Sequence, residues 1–154
     1  MRALGLAVLL LAGGCGGQME VPASTDELET ALTEPGPLMR PGDNCLRCHN
    51  PQGQASAKPW TAAGTVFPVA DAGRDQGLEG ALVKLTSVDG QTVTLVTNRV
   101  GNFYTDAALG EGFKVELEWE GRSIAMSSPP PAGSCNACHS LPPVGGAPGR
   151  IRVP

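Results

Sequence analysis

Histidine is scarce in this sequence, with only two among 154 residues, so any chemistry that needs imidazole depends on His49 and His139. Aromatic side chains are also few, six in all, while 21 glycines and 14 prolines favour loops and β-structure over a helical bundle. The formal net charge is −4, and the chain lacks the basic face that phosphate binding requires. A nucleic-acid partner is therefore not expected.

The apolar run at residues 3–12 is too short to span a membrane. It follows Arg2 and precedes two glycines, which is the pattern of a secretory signal and predicts a signal peptide over residues 1–14. Residues 11–15 resemble a bacterial lipobox, and this resemblance implies that Cys15 is lipidated and becomes the mature N-terminus. Ordinary signal cleavage is the alternative, with Cys15 removed or left as a spare thiol.

The other four cysteines and both histidines fall in two copies of one pattern, C-x-x-C-H. The first pentad is residues 45–49 and the second pentad is residues 135–139. Two thiols one helical turn apart can add to the vinyl groups of a porphyrin, while the adjacent imidazole ligates its iron. Because the two pentads use both histidines and four of five cysteines, a chance match carries little risk.

The paired pentads resemble a dihaem c-type cytochrome, and the resemblance implies two covalently attached haem c groups. The attachment residues are Cys45, Cys48, Cys135 and Cys138, and the fifth, proximal iron ligands are His49 and His139. Export suits this assignment, because covalent haem attachment in bacteria takes place outside the cytoplasm. We expect a periplasmic or cell-surface lipoprotein that transfers electrons to an unidentified redox partner protein, with no catalytic residues.

The sixth iron ligands follow partly by exclusion. No third histidine exists, so bis-histidine ligation within one chain is ruled out. The leading candidates are Met126, at the end of a predicted strand, and Met39, just before the first pentad. Met19, a lysine or an open position are further options, and either leading methionine could instead be packing filler.

Two other functions stay open. A haem-free exported binding or structural module could use the Cys pairs as disulfides or as a structural metal site, since two such pairs and two histidines suit tetrahedral zinc. This interpretation does not explain why histidine follows each pair directly. A haem enzyme or ligand sensor would need an open iron with a distal acid or base, and only carboxylates or arginines remain for that role.

The middle of the chain, residues 60–126, has a hydrophobic period of two. In residues 113–119 the apolar side chains alternate with Lys and Glu, and Asp89-Gly90 is a strong hairpin signal. We predict six or seven short antiparallel strands that form a small β-sandwich. The clearest strand candidates are residues 63–69, 81–86, 92–97, 113–119 and 123–126.

Three segments within residues 62–126 resemble the carboxypeptidase-regulatory-like, or transthyretin-like, sandwich. They are residues 64–66, 80–85 and 97–104, which match G-x-V, G-A-x-V-x-L and T-x-x-x-G-x-F. The resemblance implies a structural or binding module without catalytic residues. Gly101 is expected at a turn that needs a positive φ, and Phe103 is expected in the core.

The predicted organisation is therefore mainly β, with a small antiparallel β-sandwich flanked by short loop or one-turn-helix segments that carry the pentads. Whether the two pentads lie on the same side depends on whether the number of strands is even, which the pattern leaves open. Arg40, Arg47, Arg150 and Arg152 are each either a partner for a haem propionate or a solvated surface residue. The expected segments are 1–14 signal peptide, 15–42 flexible tether, 43–59 first haem-attachment segment, 60–126 β-sandwich, and 127–154 second haem-attachment segment with a wrapping tail.

Overall fold

Two sheets make up most of the computed structural model, which describes residues 34–154. Both pentads lie in single turns outside the sheets. The strands are β1 Ala62–Phe67, β2 Leu82–Thr86, β3 Thr92–Val96, β4 Asn102–Thr105, β5 Lys114–Trp119, β6 Arg122–Ala125 and β7 Ile151–Arg152; the turns are a 3₁₀ turn Cys45–Arg47 and α1 Cys135–Cys138. Among these residues no helix is long and apolar enough to cross a membrane.

The strand pairing gives a four-stranded sheet in the order β3-β2-β5-β6 and a three-stranded sheet in the order β4-β1-β7. All neighbours in the larger sheet are antiparallel, whereas β7 runs parallel to β1. Buried side chains from both sheets, including Val66, Phe103, Leu85 and Leu117, form one hydrophobic cluster. The prediction of a mainly β fold with the pentads in short turns is confirmed.

The larger sheet follows the predicted alternation. Val83 and Leu85 of β2 point into the core, and their register partners on β5 are Leu117 and Val115. On the opposite face Lys84 donates to Glu118 at 2.7 Å. One face of this sheet therefore packs against the other sheet while the opposite face meets solvent.

Strand β1 departs from the alternation, because all six of its residues are buried. One face packs in the hydrophobic cluster and the other is covered by chain flanking the pentads, so side chains on both faces are shielded from water. Its small residues allow this close cover. A Cβ at Gly64 would lie 2.6 Å from the Phe103 ring and 3.0 Å from Cβ of Cys135, which explains the glycine.

The turn before β4 agrees with the prediction for this segment. Gly101 has φ of +78°, and Phe103 is only 3% exposed in the core. Strand β7 was not predicted: the expected wrapping tail contributes it by pairing Ile151 with Val66. A segment of two residues is too short to show a hydrophobic period, so it forms a strand only because it pairs with the edge of β1.

The residues before the first pentad also contact the sandwich. The expected signal peptide and Cys15 lie outside the described residues, as does most of the expected tether. Within its last part, the carbonyl of Met39 accepts a hydrogen bond from Asn102 at 3.0 Å, and Pro41 is fully buried. Residues 39–42 thus lie against the sheet that carries β1.

The core assignment predicts a large cost for truncating Leu85, which is 0% exposed. Leu85→Ala should lower the free energy of unfolding by about 2–5 kcal/mol, because the lost methyl groups leave a cavity. Val88→Ala is the matched control, since Val88 is 81% exposed, and it should change stability by less than about 0.5 kcal/mol. Urea denaturation measures both variants, and similar losses in the two would contradict this core.

Candidate functional site

Each pentad is built by one turn of helix. In the first, Asn44 caps the 3₁₀ turn by accepting from the amide of Arg47 at 3.2 Å, and the amide of His49 donates to the carbonyl of Cys45 at 2.9 Å. In the second, the amide of His139 donates to the carbonyl of Cys135 at 3.0 Å. In each pentad the turn begins at the first cysteine, and the histidine follows directly after the second cysteine, at the end of the turn.

A hydrogen-bond network that is buried around Asn136 and Thr65 holds both pentad segments against strand β1. The backbone amide of Thr65, on β1, donates to Oδ1 of Asn136 at 3.1 Å. Nδ2 of Asn136 donates to Oγ1 of Thr65 at 3.0 Å and to the carbonyl of Asp43 at 2.9 Å, and Ser134 bonds to Asn44. The chain at the two pentads is therefore in direct contact, which the sequence pattern left undecided.

His49 is held in one orientation by three contacts. Its Nδ1 donates to the carbonyl of Lys58 at 2.9 Å, and its ring stacks on Trp60 with centroids 3.5 Å apart and planes within 7°. Trp60 in turn stacks on Tyr104 at 4.3 Å, and its amide donates to the carbonyl of His49 at 3.1 Å. Because Nδ1 carries the proton, Nε2 carries a lone pair, yet it is buried without a hydrogen-bond partner among residues 34–154.

His139 makes the same kind of hydrogen bond through Nδ1, but its acceptor comes from a different part of the chain. Its Nδ1 donates to the carbonyl of Gly149 at 2.8 Å, so the tail supplies the acceptor that Lys58 supplies to His49. The two acceptors share no local sequence with each other. In both pentads a backbone carbonyl thus accepts from Nδ1 of the imidazole.

A cleft of about 610 Å³ opens beside the first pentad. Its walls include the two thiols and the imidazole of that pentad, the Trp60 and Tyr104 rings, and the half-buried Met39. Met126, by contrast, is 38% exposed after β6, the outer strand of the other sheet. Of the two candidate sixth ligands, the structure brings only Met39 to the same cleft as a pentad histidine.

The four pentad cysteines are free thiols, and residues 34–154 contain no group of three or more His, Cys, Asp and Glu arranged for a metal ion. Burial raises the pKa of Cys45 to about 11, with a further rise from Cys48. Burial raises the pKa of Cys135 to about 12, and the nearby Cys45 adds to the rise. Both thiols therefore stay protonated well above neutral pH.

Several residues that shape the site were not singled out in the sequence. Trp60 and Tyr104 are two of only six aromatic residues, and this scarcity was the one signal that could have drawn attention to them. Asn102 and Asn136 carry no such signal, because buried amides and surface amides look alike in a sequence. Their role depends on the distant carbonyls of Met39 and Asp43, which only the fold brings near.

Comparisons with protein-family models, with curated proteins and with solved structures found no match for this chain. The resemblances to dihaem c-type cytochromes and to the carboxypeptidase-regulatory-like sandwich therefore stay predictions from the sequence. The geometry of the pentads is independent of both resemblances, since it is read from the side chains themselves.

The thiol environments predict slow alkylation of Cys45 and Cys135 in the chain that carries no haem. Since the thiolate is the reactive form, a raised pKa leaves little of it at a pH of about 8. Rates with iodoacetamide should be roughly tenfold or more below those in the urea-unfolded chain, after allowing for the higher nucleophilicity of a high-pKa thiolate. Timed labelling with peptide mass spectrometry measures each cysteine, and equal folded and unfolded rates would count against this burial.

Proposed function

We propose that this chain is an exported dihaem c-type electron-transfer protein. The observation that carries the proposal is the matched anchoring of the two imidazoles, with Nδ1 of His49 and of His139 each donating to a backbone carbonyl. Histidines that ligate a metal through one ring nitrogen almost always donate the other N–H to a carbonyl, a carboxylate or water. Two pentads with unrelated flanking sequence have this arrangement.

The residues present at the first pentad fit a haem. Nε2 of His49 is buried without a partner, which costs about 1–3 kcal/mol for a neutral polar atom, and an iron ion would remove that penalty. The neighbouring cleft, at about 610 Å³, falls within the range of roughly 300–1,000 Å³ typical of cofactor sites. Cys45 and Cys48 line this cleft, where thioether bonds to the macrocycle would form.

A bound haem supplies one-electron chemistry at its iron. The protein's part would be to orient the imidazole that holds the iron. Donation from Nδ1 of His49 to the carbonyl of Lys58 fixes the tautomer and the ring orientation, so Nε2 would be the atom that ligates the metal. The stacked Trp60 ring blocks rotation of the imidazole and keeps water from its face.

The shared strand supports transfer between the two haems. Asn136 connects the second pentad both to Thr65 on β1 and to the chain at Asp43, just before the first pentad. Asn136 is itself buried and uses both polar atoms of its side chain in this link, so the two attachment segments are held in one relative position. The sandwich then serves as a scaffold for a pair of neighbouring redox centres.

The proposal places the protein outside the cytoplasm, in the periplasm or on the cell surface. Covalent haem attachment in bacteria takes place there, and the N-terminal pattern before Cys15 favours export followed by lipidation. Membrane attachment would then come from the lipid on Cys15, and electrons would pass to or from a redox protein at the membrane surface.

Covalent haem is the direct test. Full-length protein made in a host with c-type haem maturation should stain for haem on a denaturing gel and carry the mass of two haems. The double variants C45A/C48A and C135A/C138A should each lose one haem, because each removes one pair of thioether bonds. Intact-protein mass spectrometry counts the haems.

A colourless protein with the mass of the bare chain under these conditions would overturn the proposal. It would favour instead a haem-free sandwich whose cysteine pairs form disulfides or bind a metal. Cys15→Ser in the same host is the control, since it removes a thiol outside the pentads and should leave both haems in place.

We also propose Met39 as the sixth ligand of the first haem, because it is the methionine that shares a cleft with His49. In protein carrying only the first haem, Met39→Ala should convert a low-spin ferric spectrum to high spin and let the reduced protein bind carbon monoxide. Met126→Ala is the matched control and should leave the spectrum unchanged. Visible spectroscopy decides, and an unaltered spectrum in the Met39 variant would eliminate this ligand.

A further inference from the structure

Arg150 is a buried cation that pairs with no anion within residues 34–154. It is 6% exposed, and its Nη1 is buried without a hydrogen-bond partner among these residues. Its Nε donates to the carbonyl of Ala72 at 2.8 Å, and its guanidinium lies 4.2 Å above the centre of the Phe67 ring. These contacts satisfy one of the five N–H donors and cover one face, which leaves the charge itself uncompensated.

The charged residues nearby do not supply the missing anion. Asp43 is the carboxylate that lines the neighbouring cleft, and it already pairs with Arg74 and, at 4.0 Å, with Arg40. Within residues 34–154 Arg150 forms no salt bridge with any carboxylate, in a protein whose net charge is −4. Burial, and next the charge of Arg74, lower the pKa of Arg150, as expected for a cation that lacks a counter-ion.

A cleft of about 450 Å³ lies at this position, between the two pentads. Arg150 and Arg74 line it together with Asn136 and Ser140, which add amide and hydroxyl groups. Gly42 has no side chain to displace Nη1 of Arg150, so that nitrogen packs directly against backbone. The Asp43 carboxylate also lines the cleft, where it pairs with Arg74. Among the lining residues Arg150 is therefore the guanidinium without a carboxylate partner, and neutral polar groups beside an unpaired guanidinium are the chemistry of a carboxylate site.

We propose that this cleft is a carboxylate-binding site in which Arg150 is the cation that binds the anion, beside the ion pair of Arg74 with Asp43. The proposal deepens the proposed function in one respect, because it takes the carboxylate to be a propionate of the haem on the second pentad. Arg150 directly follows Gly149, whose carbonyl accepts a hydrogen bond from His139. Asn136 and Ala137 of that pentad, and Ser140 and Leu141 after it, line the cleft. A free carboxylate from solution is the other source of the same chemistry.

The first arm of the test uses the full-length chain without haem and does not depend on the proposed function. Sodium acetate should raise the urea midpoint of the wild-type chain more than sodium chloride at equal ionic strength, because it binds only the folded state. Arg150→Gln should weaken acetate binding by about tenfold or more. Arg122→Gln, on the exposed face of β6, is the matched control and should behave as wild type.

The second arm repeats the titration on protein that carries both haems. If a propionate occupies the cleft, the specific acetate effect disappears. If the effect persists at full strength, the propionate assignment is overturned and a free carboxylate is the occupant. Failure to attach haem would overturn the proposed function while leaving the result of the first arm intact.

No acetate effect beyond that of chloride in the haem-free wild-type chain would overturn the site itself. So would an equal effect in the Arg150→Gln and Arg122→Gln variants. If Arg150→Gln does not fold, Arg150→Lys keeps the charge but loses the planar fork and should still bind acetate more weakly than wild type.

Discussion

The hydrogen bonds of Thr65 are the constraint on which the rest of this structure depends. Its backbone amide and Oγ1 bond to Asn136, and Oγ1 also accepts from the amide of Gly42 at 2.8 Å and donates to Asn102 at 2.8 Å. One buried residue thus joins the second pentad, the chain before the first pentad and strand β4. Buried polar groups need partners, and the observed placement of these segments supplies them.

Strand β1 meets this constraint because of its composition. Ala62, Ala63 and Gly64 are small, so chain can pack closely on both faces, whereas Val66 and Phe67 supply apolar surface at its other end. The same strand then supports two different environments: the core behind Val66 and the cation above Phe67. The proposed haem scaffold and the proposed carboxylate site both depend on β1 being buried on its two faces.

Much of the fold was predictable because it rests on local signals. The alternation in β2 and β5 and the Asp89-Gly90 turn are properties of short stretches, and the structure has the expected strands there. Strand β7 was not predictable, since two residues carry no period and their pairing partner is 85 positions away, at Val66. The contact of residues 39–42 with the sandwich escaped prediction for the same reason, as a proline-rich segment gains order here only through distant amides.

The sequence alone determined which cysteines and histidines are candidates for haem attachment and iron ligation. The spacing within each pentad is local, and the count of two histidines excludes a bis-histidine site within the chain whatever the fold. Only the tertiary structure decided that both pentad segments contact strand β1 or each other, and that Met39 rather than Met126 shares a cleft with His49. It also decided that Arg150 is buried and pairs with no anion within residues 34–154. These facts depend on groups far apart in the chain and on burial, and no local pattern encodes which distant carbonyl or ring will meet a given side chain.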